Sequence, residues 1–249
     1  MIQITIVKIT EYGLWTLTLG SDREHKLQIL QSSLYKEMQK LFSDKSCLVF
    51  ANRFDELFVI SNGLSLNDHM EIQKKLKDSF ELEFSMTIGY GQSPFEANLQ
   101  ADNARKSKTI LNKELDIYGF VDGKSEQKVS IMHLDVDGST SISKKKSPYE
   151  ISSLIFKLYS EMLEFFLIQN SLTFFMGGDN FMIISSSIAK ENTTKFLELI
   201  EEKYDISMNC GIGTAKTARG AANLATKSLD AIRKMRDSGK KQRVLELTC

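Results

Sequence analysis

The chain has 249 residues, long for one small domain and short for three, so two domains are expected. Its 32 basic and 32 acidic side chains cancel, which argues against a dedicated polyanion binder resting on a clustered basic field, so no nucleic-acid partner is expected. Hydrophobic residues at 42% and charged residues at 26% mark a globular chain rather than a disordered one.

The first recognisable segment is ITIVKITEYG (4–13), a strand whose pattern returns as VSIMHLDVDG (129–138). CLVFANRFDELFVI (47–60) aligns without a gap on SLTFFMGGDNFMII (171–184), placing Phe50 on Phe174, Asp55 on Asp179 and Ile60 on Ile184. MTIGYG (86–91) matches MNCGIG (208–213), and ANLQADNARKSK (97–108) has its counterpart in AANLATKSLDAI (221–232). Four matches in one order signify an internal duplication. The seam falls in the polar stretch Asp122–Gln127, giving domains 1–124 and 125–249.

The second half reads as strand Val129–Asp135, then a helix from Pro148 to about Gln169. Ser147 serves as N-cap and Glu150 completes a capping box. Two strands follow around the GGDN turn, whose glycines supply positive φ. A helix over Lys190–Lys203, a strand over Ile206–Gly213, a helix over Arg219–Arg236 and a short strand at Val244–Leu247 complete the order β-α-β-β-α-β-α-β. The first half repeats it with weaker signals. The fold class is α+β: two tandem palm-like (ferredoxin-like) domains, each an antiparallel sheet with helices on one face.

No apolar run is long enough to cross a membrane, since Leu154–Leu167 is broken by Lys157, Glu161 and Glu164. The N-terminus has neither basic n-region nor cleavage site, and a cytoplasmic protein is expected. Cys47, Cys210 and Cys249 stand at unrelated spacings, as in a reducing compartment. His25, His69 and His133 pair with no Cys or His at zinc spacing, leaving hard, oxygen-ligated metals.

Strand alternation puts Asp135 and Asp137 on one face at the C-terminal end of their strand. The loop Gly138-Ser139-Thr140 then offers backbone N–H groups and two hydroxyls to phosphate oxygens. A turn held between buried strands presents Asp179 on the neighbouring strand. Two carboxylates beside phosphates are the setting for a pair of Mg²⁺ ions, with the Val136 carbonyl as a further oxygen ligand and Asp137 as a third carboxylate. Either motif alone also reads as a polar turn. His133 shares the Asp135 face and reads as a packed, hydrogen-bonded histidine. In the first half, the repeat alignment puts Thr10 and Tyr12 at the places of Asp135 and Asp137, with Lys8 and Arg53 added nearby. One catalytic and one supporting half are expected.

The strand with its DxD, strand–GGDN–strand, the (I/V)GIG strand and the AxxxLxxAR helix resemble the palm domains of nucleotidyl cyclases and GGDEF-type cyclases. HLDVDGSTS, SPYE, SLTFFMGGDNFM, NCGIG and LATKSLDAIR, with CLVFANRFDE and IGYG, more closely resemble the archaeal GTP cyclohydrolase III family over essentially the whole chain. Asn180 departs from the GGDEF pattern, which has Glu there. The resemblance implies GTP as substrate, opened to a formylaminopyrimidine ribonucleotide monophosphate with loss of two phosphates, early in riboflavin and deazaflavin synthesis. It also implies Mg²⁺ and a monovalent cation, K⁺, with Lys227 and Arg233 as triphosphate contacts. A homo-oligomer, dimer or tetramer, is expected from the family and from the sheet face left open. A nucleotidyl or diguanylate cyclase and a non-catalytic nucleotide sensor are the alternatives.

Overall fold

The computed structural model describes residues 1–121, 128–185 and 190–249, without the side chains of Thr140 and Ser141. The seam at 122–127 therefore lies outside the described residues. The chain divides into two compact units, residues 1–92 with 96–127 and residues 93–95 with 128–249.

The first unit runs β1 (Ile2–Ile9), α1 (Tyr12–Thr18), α2 (Glu24–Ser43), β2 (Leu48–Arg53), β3 (Glu56–Ile60), α3 (Leu66–Ser79), β4 (Phe84–Gly91), α4 (Pro94–Lys106), β5 (Ile110–Asn112) and β6 (Ile117–Gly119). The second runs β7 (Val129–Val136), α5 (Ser139–Ser143), α6 (Pro148–Leu167), β8 (Leu172–Gly177), β9 (Asn180–Ser185), α7 (Lys190–Tyr204), β10 (Met208–Ala215), α8 (Ala218–Asp237) and β11 (Val244–Thr248). The sheet orders are β2-β3-β1-β4-β6-β5 and β8-β9-β7-β10-β11, so the first unit differs only by the extra edge strand β5. Both are α+β palm-like units. The sheets are mixed rather than wholly antiparallel, because β4 pairs β6 and β10 pairs β11 in parallel.

Each sheet is covered on both faces, not on one as the sequence pattern suggested. In the second unit Met132, Leu134, Val136, Cys210 and Ile212 face a core with α6 and α7, through residues such as Leu158, Phe166, Phe196 and Ile200. The alternate residues Gly211 and Gly213 face α8, where an added Cβ would overlap the backbone at Ala225 and Ala221. The missing side chains let the helix lie directly on the strand. Gly89 meets Ala97 and Ala101 of α4 in the same way. Period-2 patterning missed this second layer because small residues, not large apolar ones, mark the contact. Helix α6 begins as expected, with Ser147 and Glu150 closing a reciprocal capping box.

The duplication extends to fine detail. Both hairpins carry an irregularity at the same place, between Ala51 and Arg53 and between Phe175 and Gly177. The ladders nevertheless correct the sequence alignment by one pleat. Lys8 pairs with Glu56 as Asp135 pairs with Asn180, and Thr10 N–H donates to the Glu83 carbonyl as Asp137 N–H donates to that of Ser207. Lys8 and Thr10, not Thr10 and Tyr12, therefore stand where the second unit has Asp135 and Asp137. Glu11 is left-handed at φ 52°, and Gly138, at φ 67°, occupies the matching strand exit. Likewise Gly89, not Gly91, corresponds to Gly213.

Candidate active site

The site is organised around the end of β7. Its strand register places Asn180, Asp135 and Asn209 side by side on three neighbouring strands, β9, β7 and β10. Residues opposite one another in a ladder share a face, and this row lies on the face covered by α8. Along β7, His133 and Asp137 precede and follow Asp135 by one pleat. Along α8, Thr226 and Arg233 lie two turns apart and Arg236 nearly one turn further. Thr226 reaches His133, Arg233 reaches Asp135 and Arg236 reaches Asp137.

Asp135 is 5% exposed. Its Oδ2 accepts from Arg233 at 2.6 Å, and this contact raises the already high Arg233 pKa. Its Oδ1 is buried without a hydrogen-bond partner among the described residues. A buried carboxylate oxygen left without a donor is costly, and a hard cation is a group that would satisfy it. The donor set thus fits a divalent ion held by Asp135 with help from neighbouring oxygens. Val136 ends β7, opposite Met208.

Asp179 lies in the turn just before Asn180. Gly177 and Gly178 make that turn at φ 99° and 61°, conformations that Arg53 and Phe54 do not adopt in the first unit. Asp179 accepts from Asn180 Nδ2 at 3.0 Å. Asn180 Oδ1 meets His133 Nε2 at 3.0 Å, and His133 Nδ1 meets Thr226 Oγ1 at 3.2 Å. Burial holds the His133 pKa below the usual histidine value, partly offset by the Asn180 contact.

Two clefts adjoin these residues. One, of about 450 Å³, is lined by Asp137, Glu201, Asn209, Arg236, Lys240, Lys241 and Arg243, with Arg243 held by Glu201 and by the Leu197 and Met208 carbonyls. The other, of about 470 Å³, has Ile155, Phe156 and Phe175 as apolar walls, with Ser139, Gly178 and Asp179. The segment read as a phosphate-cradling loop is instead the short helix α5, entered through left-handed Gly138. Ser139 turns toward the apolar-walled cleft, and the Thr140 side chain lies outside the described residues. Lys227 is exposed on α8 and lines neither cleft. Arg233 is engaged by Asp135 and Asp230.

Sequence reasoning missed Asn209, Arg236, Lys240, Lys241 and Arg243. The signal available was the cationic run at the end of α8, GKKQR (239–243), whose placement beside Asp137 depends on β11 returning alongside β10. Among the described residues no group of three or more His, Cys, Asp or Glu is gathered as a metal cage. Mg²⁺ needs only one or two carboxylates when phosphate oxygens complete its shell.

A palm-like unit repeated within one chain, with Asp135 and Asp137 at one strand end of the second copy, places the chain among α+β proteins built from a duplicated palm-like domain. A family model described as GTP cyclohydrolase III matches residues 1–245, and the chain belongs to that family, which makes it a hydrolase. GTP cyclohydrolase III of Methanothermobacter thermautotrophicus is 34% identical over 239 residues, covering 94% of this chain and 95% of that protein. The Methanocaldococcus jannaschii protein of the same name is 35% identical over 245 residues, covering 94% and 88%. Among solved structures, the FimX GGDEF domain of Pseudomonas aeruginosa aligns with a TM-score of 0.42 and 15% identity, covering 62% of this chain and 97% of that one. No described helix is long and apolar enough to cross a membrane.

Proposed function

We propose that the chain is a Mg²⁺-dependent GTP cyclohydrolase. It converts GTP to 2-amino-5-formylamino-6-ribosylamino-4(3H)-pyrimidinone 5′-phosphate and two phosphates, feeding riboflavin and deazaflavin synthesis. The observation that carries the reading is the buried Asp135 carboxylate, with one oxygen unpartnered among the described residues, on the strand that leads to Asp137 in a cleft where cations outnumber carboxylates. Arg236, Lys240 and Lys241 bind and orient the triphosphate, while Arg243 is held by Glu201 at the edge of the cleft. Asp135 and Asp179, with the Val136 carbonyl and Asp137, would hold two Mg²⁺ ions. Divalent ions bound there supply neutralisation of charge developing on phosphate oxygens and a lowered pKa for water. Arg233 and Arg236, which pair with Asp135 and Asp137, bring positive charge to the same strand end and suit phosphate oxygens there. The apolar walls of Phe156 and Phe175 suit the purine. A monovalent cation, K⁺, is part of the proposal through family membership.

Self-association as a dimer or tetramer is also proposed. The sheet face expected to be open is covered by α8 and offers no surface for it. Its support is the exposed apolar stripe of α6, with Tyr149, Phe156, Leu163 and Leu167. Light scattering that finds only monomer removes it.

The function is tested by incubating the protein with GTP, Mg²⁺ and K⁺ and resolving the products by chromatography and mass. The formylaminopyrimidine monophosphate with two equivalents of phosphate is expected. A cyclic or dinucleotide product with pyrophosphate identifies a cyclase. Unchanged GTP that raises the melting temperature identifies a sensor.

A further inference from the structure

We propose that His133 is a positioning residue, which carries its proton on Nε2 and thereby locks the Asn180 amide in the orientation that serves Asp179. The tautomer follows from hydrogen-bond logic alone. Ionised Asp179 is acceptor-only, so the group facing it at 3.0 Å must be the Asn180 NH₂. The opposite side of that amide then presents Oδ1, an acceptor, to His133 Nε2 at 3.0 Å. Two acceptors cannot share a contact, so Nε2 bears the hydrogen. Nδ1 is left to meet the Thr226 hydroxyl at 3.2 Å, and a hydroxyl rotates freely enough to donate. Thr226, His133, Asn180 and Asp179 thus form one directed series spanning α8, β7 and the GGDN turn.

The oxygen and nitrogen of an asparagine amide are nearly the same size, so shape alone does not choose between its two orientations. The Asp179 carboxylate in front selects the NH₂, and a donor behind Asn180 meets the carbonyl that this orientation leaves on the other side. Without that donor the carbonyl is left unpaired and the amide is held from one side only, which loosens its hold on Asp179. The first unit shows the alternative. There Glu56 takes the place of Asn180, accepts from Asn52 and pairs with Arg53, and needs no such backing. Asparagine is suited to the second unit because it donates forward and accepts behind.

The role of Asp179 as a cation ligand rests on the proposed function, whereas the tautomer does not, and the experiment separates them. In protein containing ¹⁵N-labelled histidine and no metal, a long-range ¹H–¹⁵N spectrum reports which ring nitrogen of each histidine carries hydrogen. The His133 signals are assigned by their loss in His133→Gln. A protonated Nε2 is expected, and a bare Nε2 overturns the proposal. Calorimetric titration with Mg²⁺ then compares variants whose thermal unfolding stays within a few degrees of the parent. His133→Phe is expected to weaken binding about 10-fold, the low end for losing the partner of a ligand. His133→Gln keeps an N–H donor near the Nε2 position and should restore binding to within about threefold. Equal affinity of His133→Phe and the parent overturns the positioning role. If Asp179→Asn itself leaves Mg²⁺ affinity unchanged, Asp179 is no cation ligand, and the spectrum still decides the amide lock.

Discussion

Where the second unit sets Asn180, Asp135 and Asn209 across three strands, the first sets Glu56, Lys8 and Ser85. The ladders are the same and the charges are inverted. In the first unit Lys8 lies 3.9 Å from Glu56, and Arg53, in place of Gly177, pairs with both Asp55 and Glu56. The first site closes on itself with ion pairs. The second keeps a buried carboxylate oxygen without a donor and a cleft lined with cations. The comparison teaches that a palm-like scaffold does not by itself specify a metal site. A few residues at one strand end and one turn decide between a surface closed by its own ion pairs and one that keeps a buried carboxylate oxygen unpartnered, where the proposed cations would bind.

The largest expected break in that contrast is Asp135→Asn. Removing a ligand charge from the proposed site should lower GTP turnover on the order of 10³-fold, about 4 kcal/mol of barrier. Phosphate release measured across a Mg²⁺ series checks it, and turnover within threefold of the parent would refute the assignment.

A second contrast concerns acid. His69 is fully buried on α3, between the Ser65 carbonyl and Thr5 Oγ1, each at 2.7 Å, and burial lowers its pKa to about 4. The second unit has Thr193 in that place and no matching histidine. Because the unfolded chain takes up the proton more readily, near pH 6.5, His69 contributes its full share of stability above that pH. The share is lost as pH falls toward about 4, up to about 3 kcal/mol. Denaturant unfolding at a series of pH values should show the first unit weakening first, and a flat profile between pH 6.5 and 4.5 in the parent would contradict it.

The glycine contacts sharpen the comparison further. Gly213→Ala and Gly89→Ala should each cost about 2 kcal/mol by forcing helix off strand. Only Gly213→Ala should also depress turnover, since α8 carries Arg233 and Arg236. Calorimetric melting beside steady-state rates distinguishes the two, and equal rate losses would show that the first unit is catalytically engaged. The smallest effect is expected from Asp55→Asn, which removes one side of a partly exposed ion pair with Arg53 worth about 1 kcal/mol or less. Turnover should stay within about twofold, and a loss matching that of Asp179→Asn would end the division into a supporting and a catalytic half.

The sequence by itself determined the long helices and strands and their order, though not the short elements α1, β5 and α5, and with them the duplication, the capping box of α6 and the candidacy of Asp135 and Asp179. These are legible because helix periodicity, strand alternation, turn glycines and capping pairs are local. Register was not, since a slip of two residues preserves every inward and outward assignment along β1. That is why Thr10 looked like the counterpart of Asp135 until the ladders placed Lys8 there. The second helix layer was equally hidden, because glycine and alanine carry little hydrophobic signal. The partners of the aspartates were the least legible part. Arg233 and Arg236 stand 98 and 99 positions beyond the carboxylates they meet. Only the packing of α8 on two glycines of β10 brings them together, and no local pattern records a contact made by a helix lying across a sheet.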